Sequence, residues 1–257
     1  MRIAITRRVS RAIGRCELTH LERKPIDARL AAEQHERYEA CLRGLGCEVR
    51  SLPEEPELPD SVFVEDAAIV LDEVAVVTRP GAESRRAETE SLARALAPYR
   101  ELVRMEAPGT LDGGDVLRLG RTLYVGRTAR TNDEGIAQLT RQVGARGYKV
   151  VPVEVKGCLH LKTAVTQVGE NVLLINPQMV DRRGFGGAEF VEVDAAEPNA
   201  GNALLIDGTV VYPAAYEKTL RRIEGRGIAV AAVDVSELLK AEAGVTCCSL
   251  VFDSGER

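Results

Sequence analysis

No stretch of this 257-residue chain approaches the ~18 consecutive apolar residues that a membrane-spanning helix needs. The opening MRIAITRRVS lacks the apolar core of a secretory signal, so a soluble cytoplasmic protein is expected. Basic residues are not in surplus: 34 Lys and Arg face 39 Asp and Glu, for a net charge of −5. That balance argues against nucleic acid or an anionic membrane as the main partner. An acidic site would suit a cationic small molecule instead. The six cysteines, at 16, 41, 47, 158, 247 and 248, show none of the paired spacing of a zinc module. In a reducing compartment most of them are core thiols. Tryptophan is missing too, which excludes nothing, because a hydrophobic content of 45% is ample for a core. No linker rich in proline or serine interrupts the chain, and LPEEPELP at 52–59 reads as a rigid connection. A single domain over residues 1–257 is the expectation.

What the chain has is repetition. Hairpin patterns recur at 67–78, 115–126, 163–176 and 203–213, and a last arm at 249–253 finds its partner at 2–6. Most units continue with a helix and a further strand. Helices are expected over 82–99, 132–146, 214–227 and 26–45, with a weak glycine-rich piece at 183–187. The period of roughly 40 to 50 residues is that of propellers and solenoids, and the helices exclude an all-β propeller. The fold predicted is α/β: a five-bladed α/β propeller of ββαβ units with pseudo-five-fold symmetry.

Each hairpin follows a cluster of charged or reactive side chains. In a ring these clusters meet at one place. Cys247 and Cys248 stand at the start of the last strand pattern, so one enters the pocket and the other packs in the core, though alternation alone does not say which. His160 is one of three histidines, and a lone histidine at a strand edge is usually structural. Its equivalence to Cys247 in another unit changes that, because a Cys/His pair is the minimum for a thiolate nucleophile with an acid/base. Asp112 and Asp115 flank Gly113-Gly114, and one of them can fix the imidazole tautomer. Asp60, Glu65 and Asp66 would repel one another unless a cation binds among them, and a guanidinium matches carboxylates best.

Taken together these residues resemble the dimethylarginine dimethylaminohydrolase family of the guanidine-modifying (pentein) superfamily. The matching strings are LPDSVFVEDAAIV, TRPGAESRR, TLDGGDVL, GRTARTN, LHLKT and GVTCCSL, in the family's order. The resemblance implies hydrolysis of Nω-methylated L-arginine to L-citrulline through a covalent cysteine intermediate. It makes Cys247 the nucleophile, His160 the acid/base and Asp112 the carboxylate that orients it. Asp60, Glu65 and Asp66 match the cluster around the guanidinium, Arg85 and Arg130 the pair on the substrate's α-carboxylate, and Leu18 a lid-loop position. No metal or organic cofactor is implied; the partner is a small guanidino molecule, and the chain is a monomer or homodimer. Arginine deiminases, which share the Cys, His and Asp positions, typically carry a second guanidinium-binding Asp where this chain has Lys162. The nearest alternatives are therefore a deiminase or another guanidine hydrolase of the superfamily, and then a non-catalytic arginine-binding protein.

Overall fold

The recurring hairpins form five separate three-stranded sheets in the computed structural model, which describes residues 1–255. The first sheet is shared by both ends of the chain. β1 (Arg2–Arg7) leads through α1 (Ala28–Gly44) to its parallel partner β2 (Glu48–Leu52). The second contains β3 (Ala68–Val70), β4 (Val74–Val77), α2 (Thr89–Leu96) and β5 (Glu101–Arg104). The third contains β6 (Val116–Leu119), β7 (Thr122–Arg127), α3 (Asp133–Gly144) and β8 (Lys149–Glu154). The fourth opens on the single turn α4 (Leu161–Ala164) before β9 (Val165–Gly169), β10 (Val172–Ile175) and β11 (Glu189–Glu192). The fifth contains β12 (Leu204–Ile206), β13 (Thr209–Pro213), α5 (Glu217–Glu224) and β14 (Ala229–Val233). After the short α6 (Ser236–Leu239), β15 (Leu250–Asp253) pairs antiparallel with β1.

Each sheet thus repeats one rule: an antiparallel pair, then a parallel third strand that a helix or helical turn must reach by crossing over. The five inner strands line one central channel, with residues such as Ile69, Leu117, Gln167, Leu205 and Val251 facing it. Local chemistry supports the pattern. Asp207 and Gly208 take φ of 45° and 81°, as the two central residues of a tight hairpin turn do. The Asn132 side chain accepts the Gly135 N–H at 2.8 Å and starts α3. β4 is buried along its whole length, as expected of a middle strand covered on both faces. The apolar core is divided into clusters between sheets and helices, so each blade packs on its own helix and on its neighbours. Among the described residues no helix is long and apolar enough to cross a membrane.

Three local expectations change. The helix expected over 82–99 begins as a 3-10 segment, Glu83–Glu88, and ends at Leu96. The glycine-rich piece is one 3-10 turn, Arg182–Phe185, followed by Gly186 in the left-handed region. Residues 163–164, expected to open a hairpin strand, lie instead in α4. Lys162, which a strand running through His160 would place on the same face as that histidine, belongs to the same turn.

Candidate active site

The segments that precede the inner strands are short helical segments in three blades and plain turns in the other two, and each bonds to the next. Glu65 N–H donates to the Cys247 carbonyl at 3.2 Å, and Gly114 N–H to Asp66 Oδ1 at 3.0 Å. Leu161 N–H donates to Asp115 Oδ1 at 2.9 Å. The Asn202 side chain donates to the Lys162 carbonyl at 3.0 Å and to Thr246 Oγ1 at 2.9 Å, and accepts the Thr246 N–H at 3.1 Å. These bonds run through all five blades and return to their start. Gly113 and Gly114 serve close approach here. A Cβ on Gly113 would stand 2.0 Å from the Glu65 carbonyl, and one on Gly114 would stand 2.7 Å from His160 Nδ1.

One cleft above this ring is lined by Asp60, Asp66, Arg85, Arg130, His160 and Cys247, with Glu17 and Glu242 at its rim. Cys247 belongs to a turn just before β15 rather than to the strand. Its Sγ is partly buried and accepts the Gly244 N–H at 3.2 Å. Cys248 is fully buried in the core, which answers the question that strand alternation left open. Behind the pair, the Tyr38 hydroxyl of α1 donates to the Val245 carbonyl at 2.8 Å and accepts from Ser249 Oγ at 2.7 Å, which fixes the turn. His160 Nε2 lies 3.0 Å from Asp112 Oδ2, and Nδ1 lies 3.8 Å from Asp66 Oδ1. Asp112 is completely buried; its other oxygen accepts the Gly81 N–H at 2.8 Å. Asp115 does not touch the imidazole, but takes Thr128 and Thr131 hydroxyls at 2.7 and 2.6 Å and holds Leu161.

The carboxylates expected around a guanidinium separate into two groups. Asp60 and Asp66 face the cleft. Glu65 faces the central channel, where Lys162 Nζ reaches it at 2.5 Å and Thr246 Oγ1 at 2.7 Å. Lys162 is thus paired rather than free in solvent. Arg85 is buried and largely committed: Nε and Nη2 grip Glu88, Nη1 donates to Asp66 Oδ2 at 2.5 Å, and Nη2 also meets the Asp60 and Phe63 carbonyls. Arg130 makes one lid contact, from Nη2 to Thr19 Oγ1 at 3.2 Å. Leu18 packs half-buried against the core, beside Glu17 N–H, which reaches the two Asp60 oxygens at 3.2 and 3.1 Å. Asp66, Asp112 and His160 offer ligand atoms within 4.8 Å of one another, a spacing a metal ion accepts. The Arg85 guanidinium already supplies the positive charge at Asp66.

A family model described as "N,N dimethylarginine dimethylhydrolase, eukaryotic" matches residues 17–251. The chain belongs to this family. It is 39% identical over 249 residues to an N(G),N(G)-dimethylarginine dimethylaminohydrolase of Streptomyces coelicolor, covering 96% of this chain and 95% of that one. A Pseudomonas aeruginosa family member, solved as a cysteine-to-serine variant with citrulline, superposes with a TM-score of 0.93 at 35% identity. That match covers 97% of this chain and 98% of the other. The N-terminal domain of ArgZ, a cyanobacterial arginine dihydrolase, superposes with a TM-score of 0.85 at 17% identity over 97% of each chain, which speaks to the fold alone. The chain is a family enzyme on a five-bladed α/β propeller.

Charge in the family site is set by burial and by neighbours. Burial would lower the imidazole of His160, but Asp66, the bond to Asp112 and Asp115 outweigh it and raise the group to about 9. His160 is therefore a cation at neutral pH. Burial works on Asp66 in the opposite sense, yet His160 and Arg85 hold it down at about 2. Burial, then the charges of Glu65 and Asp66, push the Cys247 thiol up to about 12 against the Gly244 N–H and Lys162. The resting pair is thiol and imidazolium. Alkylation of Cys247 by iodoacetamide should accordingly be slow at pH 7 and still be rising at pH 10, since only the thiolate reacts. A guanidinium ligand that leaves the sulfur accessible should accelerate it at pH 7. A rate that levels off near pH 7 without ligand would contradict the assignment.

Residue patterns alone did not single out Glu88, Thr131 or Glu242. Glu88 had a readable signal, being three residues after Arg85 in a helical segment. Burial raises its carboxyl to about 7 despite Arg85. Thr131 and Glu242 act through contacts between distant segments and leave no local signature.

Proposed function

We propose that the chain is a single catalytic domain that hydrolyses Nω-methylated L-arginine, as asymmetric dimethylarginine or monomethylarginine, to L-citrulline and dimethylamine or methylamine. The observation that carries this reading is the cleft itself, where a thiol, an imidazolium held by Asp112 and the Asp66 carboxylate line one wall. Citrulline in a 35%-identical relative supports it. The reading includes a cytoplasmic monomer or homodimer with a small guanidino molecule as its partner.

The substrate's guanidinium enters beside Asp66, and its α-carboxylate reaches Arg130. Arg85 has four of its five N–H donors engaged, which leaves it at most a lesser share of that carboxylate. Asp60, bonded to the lid backbone, stands at the amino-acid end, with Leu18 beside it. The substrate's positive charge draws the thiol proton off to solvent, which lowers the Cys247 pKa on binding. The thiolate forms a bond to the guanidinium carbon. His160 then gives its proton to the methylated nitrogen, the C–N bond breaks and the amine leaves. An S-alkylthiouronium cation remains. Neutral His160 takes a proton from water as the hydroxide adds to the same carbon. Collapse breaks the C–S bond, the hydroxyl proton returns to the thiol, and citrulline is released.

Lys162 bears on selectivity. It stands where the deiminases carry a second guanidinium-binding Asp, so this chain offers no carboxylate there for unsubstituted arginine's extra N–H donors, and its own side chain turns to Glu65 in the channel. Purified metal-free protein supplied separately with dimethylarginine, monomethylarginine and arginine should release citrulline from the methylated substrates, favoured by roughly 10–200-fold in kcat/KM. Release chiefly from arginine would make it a deiminase. Silence with all three, alongside saturable binding, would make it an arginine-binding protein.

A further inference from the structure

The loop 241–244 joins α6 to the turn that carries Cys247, and it touches both the nucleophile and the mouth of the cleft. At one end Gly244 donates its N–H to Cys247 Sγ at 3.2 Å. At the other, the Glu242 carboxylate accepts three consecutive backbone N–H groups, from Thr19 at 3.0 Å, from His20 at 2.5 Å and from Leu21. Consecutive amides aimed at one point form a nest that favours an anion, and here the anion comes from the far end of the chain. Glu242 holds φ at 58°, a left-handed backbone that side chains adopt only where surrounding contacts enforce it.

Little else keeps this segment down. From residue 19 to 25 every side chain is exposed, and Leu21 is one of two large hydrophobic residues exposed among the described residues. Apolar burial ends at Leu18. Ser84 Oγ donates to Glu17 Oε1 at 2.6 Å, and Arg23 donates to the Gly14 and Cys16 carbonyls. Two further fastenings lie on groups that face the cleft: Asp60 receives Glu17 N–H, and Arg130 donates to Thr19 Oγ1. An amino-acid ligand carries an ammonium and a carboxylate that compete for those same two side chains. Glu242 keeps both oxygens on the amides, so its hold survives ligand entry.

We propose that Glu242 is a positioning residue that latches residues 17–21 over the occupied cleft, and so ties closure of the lid to the loop that supports Cys247. This rests on the functional reading above in taking an amino acid as the ligand. The test is Glu242→Gly, with Glu242→Gln beside it. Glycine relieves the left-handed backbone while removing the carboxylate, so folding should be preserved. Hydrogen exchange at the amides of Thr19, His20 and Leu21 should accelerate by about 10-fold or more in the glycine variant. KM for dimethylarginine should rise about 10-fold with kcat within about 3-fold, and the glutamine variant should fall between. The dissociation constant for citrulline should rise by a similar factor. Unchanged exchange at the three amides overturns the latch. Faster exchange with unchanged KM and citrulline affinity also overturns it, reducing the contact to a structural one. If the wild-type protein turns over no methylated arginine, the functional reading fails, and the exchange and citrulline measurements still decide the latch.

Discussion

Replacing Cys247 with serine should lower citrulline release by ~10⁴-fold or more while citrulline still binds. The mechanism depends on a group whose proton a neighbouring cation can remove. The thiol is raised to about 12 in the free site, and a bound guanidinium can reverse that shift. A serine hydroxyl starts far higher, and the same cation leaves it protonated. The Gly244 N–H that faces Sγ can face Oγ equally well, so the geometry of the turn should persist. Calorimetric binding of citrulline alongside a single-turnover assay checks both halves. Retention of more than about 1% of wild-type turnover would remove Cys247 from the role of nucleophile.

Replacing His160 with glycine should cost ~10²–10⁴-fold in steady-state turnover and should allow covalent adduct to accumulate, visible in the intact-protein mass. Thiolate attack does not use the imidazole, whereas release of the amine and activation of water do. The same change removes the cation that faces Asp66 and Asp112, so stability should fall by about 3–5 kcal/mol, the range for breaking a buried ion pair. The pH dependence has a definite sign. The folded-state pKa of about 9 lies above the ordinary 6.5, so the stabilisation from the charged ring is full below 6.5 and fades as pH rises through 9. The stability gap between wild type and variant should narrow over that window. Full turnover in the variant would show that another group moves the protons.

The five-fold repeat was legible because each blade carries its own hairpin signal, and a turn such as Asp207-Gly208 depends on local backbone preference. The approach of His160, Cys247 and the Asp112–Asp115 pair was legible for the same reason, since equivalent positions in equivalent units must converge, while the choice of Asp112 rested on the family resemblance. What local pattern could not reveal was the shape of the leading segments. Residues 161–164 alternate acceptably for a strand, but the Asp115 carboxylate takes the Leu161 N–H and a helical turn follows. In that turn Lys162 lies toward the channel, where it meets Glu65. The burial of Arg85 was not legible, because nothing in its own segment announces Asp66, which lies 19 residues away. Glu88 and Asp66 occupy most of the Arg85 donors.

The bonds joining the five leading segments close on themselves, and a closed circuit has no free end at which a displacement can dissipate. Asn202 lies outside the reactive cleft, yet it grips Thr246, next to Cys247, with one hand and the Lys162 carbonyl, two residues from His160, with the other. A shift there would reach the nucleophile and the proton donor from opposite directions and change the distance between them. Asn202, absent from the cleft lining, thereby ties the segment that carries Cys247 to the segment that carries His160.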